Sequence, residues 1–198
     1  MFTRQAHIPS PEQLRDELPL TKELTAIKKE RDRLTMDVIA GRTEKLLLII
    51  GPCSAHESAP VLEYVRRLGK LNERVKDKLV LVPRIYTNKP RTKGVGYKGM
   101  FSQPDPENKE DIVRGIRTIR ELHIHAIEES GLSAADEMLY PENYPFLEDL
   151  LTYIAVGARS SENQMHRLVS SGIDLPVGIK NPMGGSIPVM LNSIFAAQ

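Results

Sequence analysis

The sequence predicts an α/β protein in which five strand-helix units follow a helical N-terminal segment. Three observations carry that expectation. Short apolar runs, Leu46-Leu47-Leu48-Ile49-Ile50 foremost, recur at roughly the 30-residue spacing that a strand-helix-strand repeat needs. Between them lie stretches with apolar residues every three or four positions, the helical period. Each run then gives way to a loop rich in glycine, proline or charge, as in Gly51-Pro52-Cys53-Ser54. Right-handed crossovers between such units set the strands parallel with the helices outside.

Residues 1–42 are charged and helix-like and form an expected N-terminal extension; the repeating units occupy 43–198. Ser10-Pro11-Glu12-Gln13 reads as a capping box with proline at the first helical position, and Leu18-Pro19 ends that helix. A longer helix over 22–39 carries Leu24, Ile27, Leu34 and Val38 as one stripe and stops at Gly41. The stripe must pack on the body of the same chain or on a second copy. The run at 46–50 is continuous, the form expected of a parallel strand covered on both faces.

The next helix presents Val61, Tyr64, Val65, Leu68, Leu71 and Val75 on one face, and the strand Leu79-Val80-Leu81-Val82 delivers Arg84. After a long loop, a helix over 108–130 turns Ile112, Ile116, Ile119, Leu122 and Ile127 inward, and a third strand over 132–139 brings Glu137 near its end. A short helix with Phe146, Leu147 and Leu150 leads to the fourth strand, Tyr153-Ile154-Ala155-Val156, and on to Gly157-Ala158-Arg159. Ser161-Glu162-Asn163-Gln164 reads as a second capping box, opening a helix with Met165, Leu168 and Val169 that ends at Gly172. The fifth strand, Val177-Gly178-Ile179, ends in Lys180, and 187–197 is the last helix. No Gly-x-Gly-x-x-Gly follows the first strand, which weakens a dinucleotide-binding reading and leaves other doubly wound folds open.

With 198 residues and 40% hydrophobic side chains the chain can bury a real core. Its 27 basic and 26 acidic residues nearly cancel, so a general attraction to nucleic acid or membrane is not expected and any anion site must be local. The sequence has no apolar run of membrane-spanning length, secretory h-region or Arg-rich transit pattern, which points to the cytoplasm. The one cysteine, Cys53, is either a small buried hydrophobe or a chemically employed thiolate.

The local anion site is expected at Pro83-Arg84-Ile85-Tyr86-Thr87-Asn88-Lys89-Pro90-Arg91-Thr92. From Arg84 to Pro104 five cations, Arg84, Lys89, Arg91, Lys93 and Lys98, occur without a carboxylate. They are either solvated along a loop or await carboxylate and phosphate oxygens. Cys53, Arg84, Glu137, Arg159 and Lys180 all fall at or just beyond the C-terminal ends of successive strands, the rim where α/β folds carry their chemistry. Charges at strand ends can also serve pairing alone. Glu137 beside Asp136 is a paired acid and base, or one of the two binds a neighbouring cation. His123 and His125 fall within a helix and serve packing or solvation; His56 and His166 lie nearer the rim without an evident ligand partner. Gly178 and Gly184-Gly185 allow close backbone approach to a ligand.

These residues resemble the type I 3-deoxy-D-arabino-heptulosonate 7-phosphate (DAHP) synthases, also called phospho-2-dehydro-3-deoxyheptonate aldolases, the entry enzymes of the shikimate pathway. The resemblance spans nearly the whole chain. It rests on Ile50-Gly51-Pro52-Cys53-Ser54, the stretch 83–92, Gly96-Tyr97-Lys98-Gly99, Ala134-Ala135-Asp136-Glu137, Gly157-Ala158-Arg159-Ser160-Ser161-Glu162 and Pro176-Val177-Gly178-Ile179-Lys180-Asn181. It implies a (β/α)8 TIM barrel with an N-terminal extension, of which this chain would hold the extension and the first five βα units. The reaction implied is a metal-dependent condensation of phosphoenolpyruvate with erythrose 4-phosphate, releasing phosphate. Cys53 would be one ligand of a divalent metal of the Mn, Fe, Co or Zn type. Arg84, Lys89 and Lys180 would hold the phosphoenolpyruvate carboxylate and neighbouring oxygens, Arg159 with the Ala158 amide its phosphate, and Arg91 and Thr92 the aldose phosphate. Lys89 and Glu137 would stand at the reacting enol. Feedback control and homo-oligomers involving the N-terminal segment are implied as well.

The departure from the family pattern is absence. A full member supplies three further units, a second phosphate-binding arginine, and the histidine, glutamate and aspartate that complete the metal site; none is in this sequence. A barrel of about 250 residues cannot be built from roughly 155. The chain is therefore expected to be a fragment of a longer enzyme, with a half of a two-chain enzyme and a non-catalytic phosphate-ligand binding or regulatory protein as the alternatives. Little or no activity is expected of the 198 residues alone.

Overall fold

A computed structural model describes residues 6–91 and 95–198. Among these, α1 (Pro11–Glu17) and α2 (Lys22–Ile39) precede β1 (Leu46–Ile50), α3 (Ser58–Val75), β2 (Leu79–Pro83), α4 (Ile112–Ser130), β3 (Ala134–Glu137), a 3-10 turn (Pro141–Phe146), β4 (Leu151–Val156), α5 (Gln164–Ser171), β5 (Val177–Ile179) and α6 (Ile187–Phe195). The capping box at Ser10 forms as predicted. Its Oγ accepts from the Gln13 amide at 3.2 Å, and Gln13 Oε1 accepts from the Ser10 amide at 2.8 Å.

The expected second box does not form. Asn163 caps α5 instead, accepting from the Met165 and His166 amides, because Ser161 Oγ donates to the Ala158 carbonyl and closes the turn after β4. Helix α4 likewise begins at Ile112 rather than 108. Asp105 takes the Glu107 amide and the Asn108 side chain into a turn, and Asp111 is the residue that caps Arg114. Strand β3 is shorter than expected because the Leu139 amide folds back onto the Glu137 carbonyl at 2.8 Å, whereas β4 starts two residues earlier than expected, at Leu151.

All the strand pairings are parallel and follow chain order. β1 pairs with β2, and β3 with β4 and then β5. An isolated bridge between Arg84 and Ala135 joins the two groups just past the end of β2. The gap before that bridge has a cause. The bonds Leu46 N to Lys78 O and Arg84 N to Ile50 O turn the even-numbered groups of β2 toward β1, so the Leu81 carbonyl faces β3. Arg31 of α2 donates to it at 2.8 Å, taking the place of a ladder bond.

Helix α2 thus packs on this chain's own body, against β1, β2, β4 and α4. Its buried face is Leu24, Arg31 and Thr35, not the purely apolar stripe the sequence suggested. The main core lies between strands and helices, with Val65, Ile116, Ile119, Leu122, Ile127 and Ile154 at its centre. A second cluster covers the other sheet face: Val82, Tyr86, Ala135 and Ala155, with Leu47, Ile49 and Tyr153 against them.

Strand β1 departs most from expectation. Leu46 is 69% exposed, and Leu48 and Ile50 are exposed too, while Leu47 and Ile49 are half-buried, so among the described residues the strand is partly covered on one side and open on the other. Ile112, expected inward, is also exposed, as are Leu71 of the predicted apolar face of α3 and Met165 and Leu168 of α5. In α5 the buried residues are His166 and Ser170. No helix of the described residues is long and apolar enough to cross a membrane.

Candidate anion-binding site

Side chains alternate along a strand, so residues two apart share a face. The second cluster fixes one such face through Leu47 and Ile49, Val82, Ala135 and Ala155, with Gly178 in register beside Ala155. Continuing each row by two residues, to the last residue of β3 and one residue past β2, β4 and β5, gives Arg84, Glu137, Gly157 and Lys180. Arg84, Glu137 and Lys180 therefore fall on one face by register. Gly157 has a specific use there, since a Cβ at that position would collide with Glu137 Oε1. Gly178 serves differently from expected: the space beside it is filled by the Tyr153 hydroxyl, not left for a ligand.

The side chains converge. The Arg84 guanidinium stacks 4.0 Å from the centre of the Tyr86 ring, and Lys180 Nζ stands 5.6 Å from the same centre. Arg84 Nη2 also donates to the Cys53 carbonyl at 3.2 Å, and Lys89 Nζ donates to Cys53 Sγ at 3.2 Å. That bond, then the Lys89 charge, holds the exposed Cys53 thiol below its ordinary pKa, with Arg84 adding and burial and Glu137 opposing. Glu137 is pushed the other way. Burial raises its carboxyl above the usual range and Asp136 adds to this, against the pull of Lys180, Arg84 and Arg159. Arg159 is thus within electrostatic reach of Glu137.

Asp136 is not Glu137's acid-base partner. It points to the opposite face, buried, where its carboxylate accepts from the Thr87 amide at 2.9 Å and the Thr87 hydroxyl at 2.5 Å. His123 Nε2 faces the same carboxylate at 3.4 Å. His125 is exposed beside Glu128, and His166 Nε2 lies 3.0 Å from the Leu139 carbonyl.

The cationic loop is less free than its sequence suggested. Lys98 finds Glu110 at 2.5 Å, and Arg91 Nε donates to the Tyr97 carbonyl at 2.8 Å while the residue stays exposed. Tyr97 meets His56 edge-on at 4.6 Å and is half-buried, which pushes its hydroxyl up to about 12. Thr92 and Lys93 lie outside the described residues. Ala158 and Arg159 sit in the turn after β4, which the Ser160 amide closes on the Gly157 carbonyl at 2.9 Å. Tyr86 and Tyr97 are the contributors that sequence reading left without a role, and Asp136 has a different one from the acid-base pairing expected; Tyr86 could have been found by the alternation from Val82 through Arg84.

Cys53 alone does not fit a metal site. Among the described residues no three or more His, Cys, Asp or Glu side chains are grouped to hold an ion, and such sites need several protein ligands.

A parallel α/β scaffold with cations, one raised carboxyl and one lowered thiol at its C-terminal rim defines a class: α/β proteins that gather their ionisable side chains at the strand ends. The particular family follows from comparison with known proteins. The DAHP synthetase I family profile matches residues 19–196, and the chain belongs to that family. It is 38% identical over 196 residues to the Tyr-sensitive phospho-2-dehydro-3-deoxyheptonate aldolase of Escherichia coli (strain K12), covering 99% of this chain and 54% of that protein. It is 37% identical over 188 residues to the phenylalanine-inhibited phospho-2-dehydro-3-deoxyheptonate aldolase of Saccharomyces cerevisiae, covering 94% and 50%. The solved phospho-2-dehydro-3-deoxyheptonate aldolase of Francisella tularensis SCHU S4 superposes with a TM-score of 0.91 at 28% identity, covering 100% of this chain and 57% of that one. The chain therefore spans about half the length of the relatives it matches.

Proposed function

We propose that this chain carries the phosphoenolpyruvate-binding half of a 3-deoxy-7-phosphoheptulonate synthase, which condenses phosphoenolpyruvate with erythrose 4-phosphate and releases phosphate. The observation that carries the reading is the register that sends Arg84, Glu137 and Lys180 to one face, with Lys89 beside them. In this reading Arg84, Lys89 and Lys180 hold the carboxylate and neighbouring oxygens, Arg159 and the Ala158 amide hold the phosphate, and Arg91 and Thr92 hold the aldose phosphate. Two polyanions repel each other, and a cation-lined face offsets that repulsion while fixing their geometry. Glu137, its carboxyl raised by burial, is suited to hold a proton beside the enol. Cys53 would be one ligand of a divalent metal; the described residues supply no grouped partners for it, so the chain by itself offers binding rather than turnover.

The five units read as the first five of a (β/α)8 barrel. Consecutive parallel strand order supports this, as do the open face of β1 and the exposed Ile187, Leu191 and Phe195 of α6, where neighbouring units would pack. The remaining units would come from a C-terminal part, in the same or a second polypeptide. Exposed Ile8, Met36 and Ile39 suit a homo-oligomeric contact through the N-terminal segment. The exposed free thiol of Cys53 suits a reducing cytoplasm. A second reading, a non-catalytic phosphate-ligand binding or regulatory protein, is favoured by the ungrouped Cys53.

The test is the 31P spectrum of phosphoenolpyruvate with the purified chain, erythrose 4-phosphate and diamagnetic Zn2+, read against the same mixture without the chain. The expected result is a shifted or broadened phosphoenolpyruvate resonance without growth of inorganic phosphate. An unperturbed resonance overturns the site reading, and phosphate growth at enzymic rates overturns the claim that this half lacks turnover.

A further inference from the structure

We propose that Asp136 is the positioning residue of this site: its buried carboxylate fastens the segment bearing Arg84, Lys89 and Arg91 to the strand bearing Glu137. The inference rests on reading that segment as an anion clamp.

The argument starts from the ladder. Past the end of β2 the parallel pairing resumes with Ile85 N donating to the Ala135 carbonyl at 2.9 Å. The next two bonds of such a ladder would run from the Glu137 amide to the Ile85 carbonyl and from the Thr87 amide to the Glu137 carbonyl, but the Glu137 amide donates to Asp136 Oδ1 and the Glu137 carbonyl accepts from Leu139 N at 2.8 Å. Asp136 Oδ1 stands in as acceptor for both amides. It accepts from the Thr87 amide at 2.9 Å and from the Glu137 amide at 2.6 Å, while Oδ2 accepts the Thr87 hydroxyl at 2.5 Å. One carboxylate thus holds the backbone of both segments, one residue before Glu137 and two before Lys89.

The arrangement is sealed. Thr87 is 0%, Asp136 3% and His123 1% exposed, so water cannot replace these bonds, and a buried carboxylate is tolerated because amide and hydroxyl donors and His123 surround it. The segment is also pinned by main chain, with Ala55 N on the Tyr86 carbonyl at 2.7 Å, Phe101 N on the Thr87 carbonyl at 3.3 Å and Lys89 N on the Lys98 carbonyl at 3.2 Å. The short bond lies before Thr87 and the two at and beyond it are long, which leaves Asp136 as the short, charge-assisted attachment between Tyr86 and Lys89 that sets where Lys89 stands relative to Cys53 and Glu137. Asp136 touches no reacting atom in this scheme.

The experiment compares the full chain with Asp136→Ala, Thr87→Val and Thr87→Ser, reading phosphoenolpyruvate affinity by calorimetry and backbone exchange by hydrogen-deuterium mass spectrometry. Thr87→Val should bind about tenfold or more weakly, the size of one lost bond to a charged group. Thr87→Ser, which keeps the hydroxyl, should stay within about threefold by the same reasoning. Asp136→Ala should speed exchange over residues 84–89 while leaving α3 and α4 protected. Wild-type affinity in Thr87→Val, or a serine variant as weak as valine, overturns the inference. If the unsubstituted chain does not bind phosphoenolpyruvate, the clamp reading fails, and exchange alone then judges Asp136: unchanged protection over 84–89 in Asp136→Ala overturns its positioning role.

Discussion

Substituting Asp149 by alanine tests how the N-terminal segment is sealed onto the strand-helix body. Arg120 on α4 is fully buried, and its guanidinium meets Asp149 through two bonds, Nη1 to Oδ1 at 2.7 Å and Nη2 to Oδ2 at 2.8 Å. Its other acceptors are neutral carbonyls, Leu18 at 3.0 Å from Nε and Phe146 at 3.0 Å from Nη1. Without Asp149 a full positive charge remains out of water with two carbonyls. Breaking a buried pair from one side costs about 3–5 kcal/mol, against the roughly 5–15 kcal/mol that holds a domain together. Glu148, one residue earlier, is the control. It pairs with the partly exposed Arg15 at 2.7 Å, and Arg15 keeps the Pro145 carbonyl without it, so Glu148→Ala should cost less than about 1 kcal/mol. Urea unfolding reads both. With a slope near 2 kcal/mol per molar, Asp149→Ala should lower the midpoint by about 2 M and Glu148→Ala by under about 0.5 M. Equal, small losses would show that Arg120 reaches water and that the Leu18 segment does not seal it.

Glu137 gives a pH prediction. Its folded carboxyl titrates above its unfolded value, chiefly through burial, so its stabilising contribution is complete below the ordinary carboxylate range and is lost as pH rises through the folded pKa. Glu137→Gln should therefore raise the Tm at pH 7, and the gain should vanish toward pH 3; a gain that grows on acidification would refute the assignment. Lys89→Met should raise the Cys53 thiol pKa by removing its hydrogen bond and nearest charge. Iodoacetamide labelling followed against pH checks this, and an unmoved midpoint would mean that the contact at 3.2 Å does not form in solution.

Features set by neighbours in sequence were the legible ones. Ser10 and Gln13 could be paired on paper because a capping box is local, and the shared face of Arg84, Glu137 and Lys180 follows from alternation once the strands are found. The capping box expected at Ser161 and the α4 start expected at 108 were local misreadings, lost to Asn163 and Asp111; what else escaped depends on distant partners. Thr87 and Asp136 are separated by 49 positions, and nothing in either local pattern announces their bond. Arg31 reads as a surface cation until the Leu81 carbonyl is seen to lack a strand partner. Leu46, Leu48 and Ile50 are apolar enough for a doubly covered strand, but coverage is a property of what packs beside them, and in the described chain their face is open.

The central claim is that the rim face recognises a phosphorylated carboxylate without help from a metal. Its most direct measurement is a calorimetric titration of the purified chain with phosphoenolpyruvate, with and without Mn2+, alongside Arg159→Ala. Saturable binding that inorganic phosphate competes away, that does not depend on Mn2+ and that Arg159→Ala abolishes is the predicted result. No heat of binding from the unsubstituted chain, or equal affinity in Arg159→Ala, would contradict it.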